Sequence, residues 1–355
     1  MAQHRLGVLD GDGIGTEIVP ATVRVIDAAI AQRDDVSIEW VEAPIGFAAI
    51  EAHGHPTPPE TLAVLDGLDG WIMGPHDSVS YPAEFRTDLN PSGTLRKRYD
   101  LFANIRPARN LPGVDAVVSD TDLVIARENT EGFYCDRSMT AGHGELLVTP
   151  DVAIAVARFT RPAVERIAHS AFRLARTRRG RVTIVHKANV LRMTTGGMFR
   201  DVCREVGEQY PDVEIDDYHI DAMAALLVRR PQTFDVIVTE NMFGDILSDL
   251  TGELVGSLGV AGSINAGTDV AMAQAAHGSA PDIAGKGIAN PVGMMVSAWQ
   301  LLRWLGDRSG DAALAEVGDA CETAMMAALA AGHRTGDLGG DLGTDAFTER
   351  VIAEL

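Results

Sequence analysis

Five short apolar runs, each followed by a helical pattern, constrain the fold of this chain more than any other feature. They lie at residues 6–9, 70–73, 123–126, 182–185 and 235–239. Runs this short and largely apolar suit strands covered on both faces, and their alternation with helices predicts an α/β protein. Amphipathic helices are expected over residues 16–32, 151–175, 197–210 and 291–305. At 355 residues, with 46% hydrophobic side chains, the chain exceeds one ordinary core, so two lobes or one large α/β unit are expected. No repeat, heptad or low-complexity linker marks a boundary between lobes.

Charge narrows the partners. Fifty acidic against 30 basic side chains give a net charge of -20, which repels nucleic acid and anionic membrane. An anion site in such a field has to be a local cluster of arginines. The basic run at residues 177–181 precedes an apolar strand and reads as a solvated loop. Cys135, Cys203 and Cys321 are odd in number and show no C-x-x-C spacing, as expected of reduced thiols in a cytoplasmic protein. The opening residues do not resemble a signal peptide, and no run of about 18 apolar residues predicts a membrane span.

Several segments carry chemistry. GDGIG at residues 11–15 joins the first strand to a helix; its glycines allow either a tight turn or close approach of a ligand to helix-start amides. Arg96, Arg106 and Arg127 follow in series, the last at a strand end. Guanidinium groups suit a polycarboxylate, because they stay charged when desolvated and grip carboxylates bidentately; the alternative is pairing with surface acids. In NMFGDILSD at residues 241–249, Asp245 and Asp249 are four apart and project from one helix face. They read either as hard ligands for Mg²⁺ or Mn²⁺ or as a solvated helix start. The chain has only three lysines, Lys97, Lys187 and Lys286, so Lys187 after the strand at 182–185 suggests an amine needed as a base. The loop at 277–291, HGSAPDIAGKGIANP, is long and rich in small residues, and an Asp within it can accept from a ribose diol while repelling a 2′-phosphate.

Together, GDGIG, LFANIRP, RENTEGFY, HKANV, NMFGDILSD, HGSAPDIAGKGIANP and the ending DLGGDLGT resemble, in order, the β-decarboxylating dehydrogenases. That family includes the isocitrate, isopropylmalate, homoisocitrate, tartrate and D-malate dehydrogenases. The resemblance implies an α/β fold of two lobes with a cofactor site unlike the usual dinucleotide-binding one. Mapped here, residues 1–98 and 256–355 would form the large cofactor lobe, and 99–255 a central lobe carrying the metal site and a homodimer interface. It further implies that Asp245 and Asp249 bind the divalent metal with Asp221 of the other subunit, and that Arg96, Arg106 and Arg127 hold the malate carboxylates. Tyr134 would be the proton donor and Lys187, also across the dimer, the general base. Ile14, His277, Gly278, Ser279, Ala280, Asp282, Ile283 and Asn290 would bind the cofactor, with Asp282 and Ile283 favouring NAD over NADP.

The substrate-reading segment departs from the isopropylmalate pattern. Those enzymes resemble one another in placing a Glu and two Leu before the first arginine, where this chain has Leu89, Ser92 and Gly93. Ser92 and Asn90 suit a polar C3 substituent, whereas the C-terminal motif looks isopropylmalate-like. The expected activity is therefore NAD- and metal-dependent oxidative decarboxylation of a 3-substituted malate with a polar or small C3 group. 3-Isopropylmalate is the alternative substrate, and a non-catalytic regulatory paralogue or plain binding module the alternative class.

Overall fold

The computed structural model describes residues 2–85, 88–140, 142 and 144–355. In chain order its strands are β1 (Ala2–Leu9), β2 (Val36–Glu42), β3 (Gly70–Met73), β4 (Ala103–Arg109), β5 (Asp122–Glu128), β6 (Glu145–Thr149), β7 (Val152–Ala155), β8 (Arg181–His186), β9 (Glu214–His219), β10 (Val236–Thr239), β11 (Ile264–Ala266) and β12 (Ala271–Ala273). The chain divides into two compact units, one of residues 1–94, 111–116 and 256–355, the other of residues 95–110 and 117–255.

In the first unit the strand order is β2-β1-β3-β12-β11, parallel except for the β11–β12 pair. All four residues of β3 are buried, as its unbroken apolar run predicts. Helices α1 (Gly15–Ile30), α9 (Val292–Ser309), α10 (Ala312–Ala330) and α11 (Thr344–Ile352) belong to this unit, with α9 and α10 packed as a pair. Two shorter helices, α2 (Phe47–His53) and α3 (Pro59–Leu65), complete its first half. The chain leaves the unit within α4 (Pro91–Arg98).

The second unit orders its strands β4-β5-β10-β8-β9, with only β4 antiparallel. Leu123 and Ile125 of β5, Val185 and Ile237 join Met223 and Leu227 of α7 (Ile220–Arg229) and Leu247 of α8 (Asn241–Val255) in one buried cluster. Helix α5 (Arg161–Arg176) packs on β5, β8 and β10 through Val164, Ile167, Ala168, Ala171 and Phe172.

Two helical expectations shift. Residues 151–175 do not form one helix, because Val152, Ile154 and Val156 alternate with period two in a β6–β7 hairpin, and Pro162 can only open a helix. The helix expected over 197–210 begins earlier, as a π-helical segment Arg192–Arg200 that runs into α6 (Asp201–Gly207). Its i→i−5 bond from Gly196 N to Leu191 O is 3.0 Å, a spacing that a search for 3.6-residue periodicity passes over.

The basic run at 177–181 is not a solvated loop. Arg178 Nε donates to Asp235 Oδ1 at 2.8 Å and its Nη2 to Asp122 Oδ1 at 2.7 Å, while Arg179 N donates to Asp235 Oδ2 at 2.9 Å. Arg181 pairs with Asp216 at 2.5 Å. One loop thus ties together the starts of β5, β8 and β10, and β9. Asp235 is 1% exposed, so Asp235→Ala leaves buried donors unpaired and should cost about 2–4 kcal/mol in urea unfolding. Asp122→Ala, at a carboxylate 47% exposed, should cost under about 1 kcal/mol, and equal losses would refute this ranking.

Candidate active site

Gly13 stands at φ +59°, and a Cβ there would lie 2.0 Å from Ser279 O. Ile14 N donates to that same carbonyl at 2.9 Å, Asp12 N to Pro75 O at 2.7 Å, and Gly15 N to Asp12 O at 3.0 Å. The glycine turn therefore admits the 277–291 loop, and the amides of Asp12, Ile14 and Gly15 are occupied by the protein rather than presented to an anion. Asp12 is a buried anchor that accepts from Phe47 N, Asp77 N and the Tyr81 hydroxyl.

Beside this contact, within the first unit, lies a cavity of about 680 Å³. Ile14, His277, Gly278, Ala280, Ile283 and Asn290 line it; Ser279 is buried behind the lining, and Asp282 is exposed on the same loop. Successive turns shape the loop, with Ala280 at φ +39°, and Gly285 N donates to Glu17 Oε1 of α1 at 2.5 Å. Burial lowers the His277 pKa, which favours a neutral ring at this wall. The facing wall comes from Asp337, Asp341 and Leu342, residues that the motif reading noted only as family marks. Asn290 Nδ2 donates to Asp337 Oδ2 at 2.9 Å and joins the two walls.

Also in this unit, Asn90 Oδ1 accepts from Gly93 N at 2.8 Å and caps the start of α4. Ser92, buried, donates to Asn90 Oδ1 at 3.1 Å, which leaves its oxygen to accept from His76 Nε2 at 2.9 Å. His76 gave no signal in the sequence, because its partner lies sixteen residues away.

The second unit gathers six of the predicted residues. Arg127, 1% exposed at the end of β5, donates from Nε to Asn241 Oδ1 at 2.9 Å and pairs with Asp245. It can do so because a Cβ on Gly244 would fall 2.6 Å from its Cγ, so the glycine of NMFGD makes room for the arginine. Arg106 Nη1 lies 3.5 Å from Asp245 Oδ1, 3.3 Å from Asp249 Oδ1 and 2.7 Å from Ser248 Oγ. The Tyr134 hydroxyl lies 3.3 Å from Asp245 Oδ2, and Arg96 is buried within the same field. Helix α8, which carries both aspartates, is held at its first turn by Glu240, whose carboxylate accepts from Met242 N and Phe243 N at 3.1 and 2.8 Å.

Burial would raise the Asp245 pKa, but Arg127, Arg106, Arg96 and Arg137 outweigh it and hold the carboxyl below its ordinary value. Asp249 goes the other way, raised by burial against the pull of Arg106. Burial and Asp245 raise Tyr134, which keeps the phenol protonated. Burial and Arg127 push Arg106 down to about 10, still a cation at neutral pH. Arg106 Nη1 lies within 3.5 Å of both aspartates, so the two carboxylates face one position, which the guanidinium itself fills in this chain. Two hard oxygen donors meeting this way fit a divalent ion.

Lys187 and Asp221 form a separate pair, with Nζ 2.5 Å from Oδ1. Among the described residues no three His, Cys, Asp or Glu side chains gather in a metal-ligating group, so Asp221 does not sit beside Asp245 and Asp249 in this chain. The backbone around Lys187 is fixed: its N donates to Thr195 Oγ1 at 3.0 Å, and Ala188 N donates to His186 Nδ1 at 3.0 Å. That bond leaves His186 Nε2 to donate to Asp217 at 2.7 Å. The three cysteines are free and buried, and among the described residues no helix is long and apolar enough to cross a membrane.

The sequence profile of the family described as isocitrate/isopropylmalate dehydrogenase matches residues 5–352. The chain is 42% identical to an isocitrate/homoisocitrate dehydrogenase of Thermus thermophilus, over 99% of this chain and 98% of that one. It is 41% identical to a 3-isopropylmalate/3-methylmalate dehydrogenase of Methanocaldococcus jannaschii, over 98% of each. The crystal structure of an isocitrate dehydrogenase from Methylococcus capsulatus superimposes with a TM-score of 0.87 at 38% identity, covering 99% of both chains. A family match over nearly the whole length, on an α/β fold shared with a solved member, establishes that this chain belongs to the isocitrate/isopropylmalate dehydrogenase family of decarboxylating dehydrogenases.

Proposed function

We propose that the protein oxidises and decarboxylates a 3-substituted malate with NAD and Mg²⁺ or Mn²⁺, and that it prefers a polar or small C3 group to isopropyl. The observation that carries this reading is the convergence of Asp245 and Asp249 on one point inside a cluster of buried arginines beside Tyr134. Asp245 and Asp249 would hold the metal, completed by Asp221 of a second subunit. Arg96, Arg106 and Arg127 would grip the two malate carboxylates, and the cavity bounded by Ile14, His277 and Asn290 would take the adenosine end of NAD. When bound, the two groups would supply a hydride acceptor and a positive charge that favours the alkoxide and then the enolate.

The chain's own residues handle the protons. Lys187 takes the C2 hydroxyl proton as hydride leaves C2, giving a β-keto acid; loss of the C3 carboxylate as CO₂ leaves an enolate, and Tyr134 returns a proton to C3. A homodimer with shared sites accounts for Asp221 standing apart from the other two aspartates. It also accounts for the β6–β7 hairpin, where Leu146, Leu147, Val148, Val152 and Ile154 are all exposed, Leu147 by 73%.

Three outcomes test this reading. Asp282 lies on the cofactor loop and would face a 2′-phosphate with like charge, so kcat/KM with NAD should exceed that with NADP by at least about tenfold. Parity between the two would remove the argument. On shared sites, Lys187→Ala and Asp245→Asn should each be inactive, yet random mixing should restore about a quarter of wild-type activity through dimers with one intact site. A mixture as dead as its parents would mean that each subunit builds its own site. On the substrate, the buried Ser92 hydroxyl and its partners His76 and Asn90 offer no apolar wall for a branched alkyl group, whose burial is worth about 0.8 kcal/mol per CH₂. NADH formation with Mn²⁺ should therefore be faster, by kcat/KM, with isocitrate, tartrate or D-malate than with 3-isopropylmalate. A preference of about tenfold for 3-isopropylmalate would make that the substrate.

A further inference from the structure

Arg137 is a fourth guanidinium in the cluster of Arg96, Arg106 and Arg127, and the function proposed above leaves it without a task. Its Cζ lies 5.1 Å from the centroid of the Tyr134 ring, and the Arg127 Cζ lies 5.8 Å from the same centroid. The short turn that carries it, Cys135–Ser138, is fastened from outside. Lys97 Nζ donates to Asp136 O at 3.3 Å and to Met139 O at 2.7 Å, and Arg158 Nη1 donates to Ser138 O at 3.3 Å. Arg137 itself is aimed by a bond from Nη1 to Asn129 O at 3.2 Å.

The difference from its neighbours is one of partners. Arg106 has Asp245 and Asp249, and Arg127 has Asp245, whereas among the described residues no carboxylate lies within ion-pair distance of Arg137. Burial and the nearby Arg127 push its pKa down to about 10, so the group remains cationic at neutral pH in an environment that disfavours the charge. Such a position gains most from an anion that arrives with the ligand.

We infer that Arg137 is a specificity-determining residue that binds a carboxylate borne on the C3 substituent, which makes the preferred substrate a hydroxy-tricarboxylate. The inference rests on the assignment of Arg96, Arg106 and Arg127 to the two carboxylates of the malate core. With those three engaged, a third carboxylate finds Arg137, whose guanidinium lies beside the Tyr134 ring. An isopropyl group in the same place would strip water from the guanidinium and offer it no partner.

The test compares wild type with Arg137→Gln and Arg137→Lys, using isocitrate, 3-isopropylmalate and D-malate, each with Mn²⁺ and NAD. The ratio of kcat/KM for isocitrate over D-malate should fall by at least about tenfold in Arg137→Gln, mainly through KM, and by less in Arg137→Lys, which keeps the charge without the bidentate fork. A ratio unchanged within about twofold overturns the inference. So does an equal loss on both substrates through kcat, which would make Arg137 a support for Tyr134 only. Calorimetric binding of tricarballylate and succinate gives a second readout independent of turnover, and the preference for the tricarboxylate should shrink by a similar factor in Arg137→Gln. Failure of the broader substrate reading is seen separately, in the wild-type enzyme alone, as a preference for 3-isopropylmalate over both other substrates.

Discussion

The second unit is organised around the difficulty of burying like charges together. Arg96, Arg106 and Arg127 are all buried; burial first, and also the charge of Arg127, disfavour the cation at both Arg96 and Arg106. What makes the arrangement tolerable is α8, which brings Asp245 against Arg127 and Arg106 and sets Asn241 and Ser248 as neutral acceptors for the remaining donors. The strand order follows the same need. β5 delivers Arg127 and β10 delivers the start of α8, and the two are parallel neighbours with Thr239 opposite Arg127, so arginine and helix emerge at the same sheet edge.

This arrangement was legible in the sequence where local chemistry and strand pattern coincide. The apolar runs marked β3, β5, β8 and β10, and the i, i+4 spacing of Asp245 and Asp249 already put both carboxylates on one helix face. Gly244 could be seen in the motif, but its purpose could not, because the side chain that needs the space is more than a hundred residues away.

The misreadings have one physical origin, which is that spacing along the chain reports neighbours within an element and not partners across elements. The arginines at 178 and 181 looked solvated because Asp122, Asp216 and Asp235 are distant in sequence. Residues 151–160 have the apolar content of a helix, but the two-residue alternation before Pro162 belongs to the strand Val152–Ala155. Arg137 and His76 escaped notice because neither belongs to a recognisable motif, and their significance lies wholly in what surrounds them.

The contact of Gly13 with Ser279 bears on how a nucleotide would be received. The missing Cβ, the bond from Ile14 N to the Ser279 carbonyl and the tether from Gly285 N to Glu17 fix the loop backbone through the protein's own contacts. A ligand entering a cavity whose walls are already set spends little of its interaction energy on ordering them. Affinity can then be adjusted side chain by side chain at exposed positions of the loop, such as Asp282, while the backbone frame stays constant. Such a frame separates the choice of cofactor from the stability of the fold, so that one can drift without endangering the other.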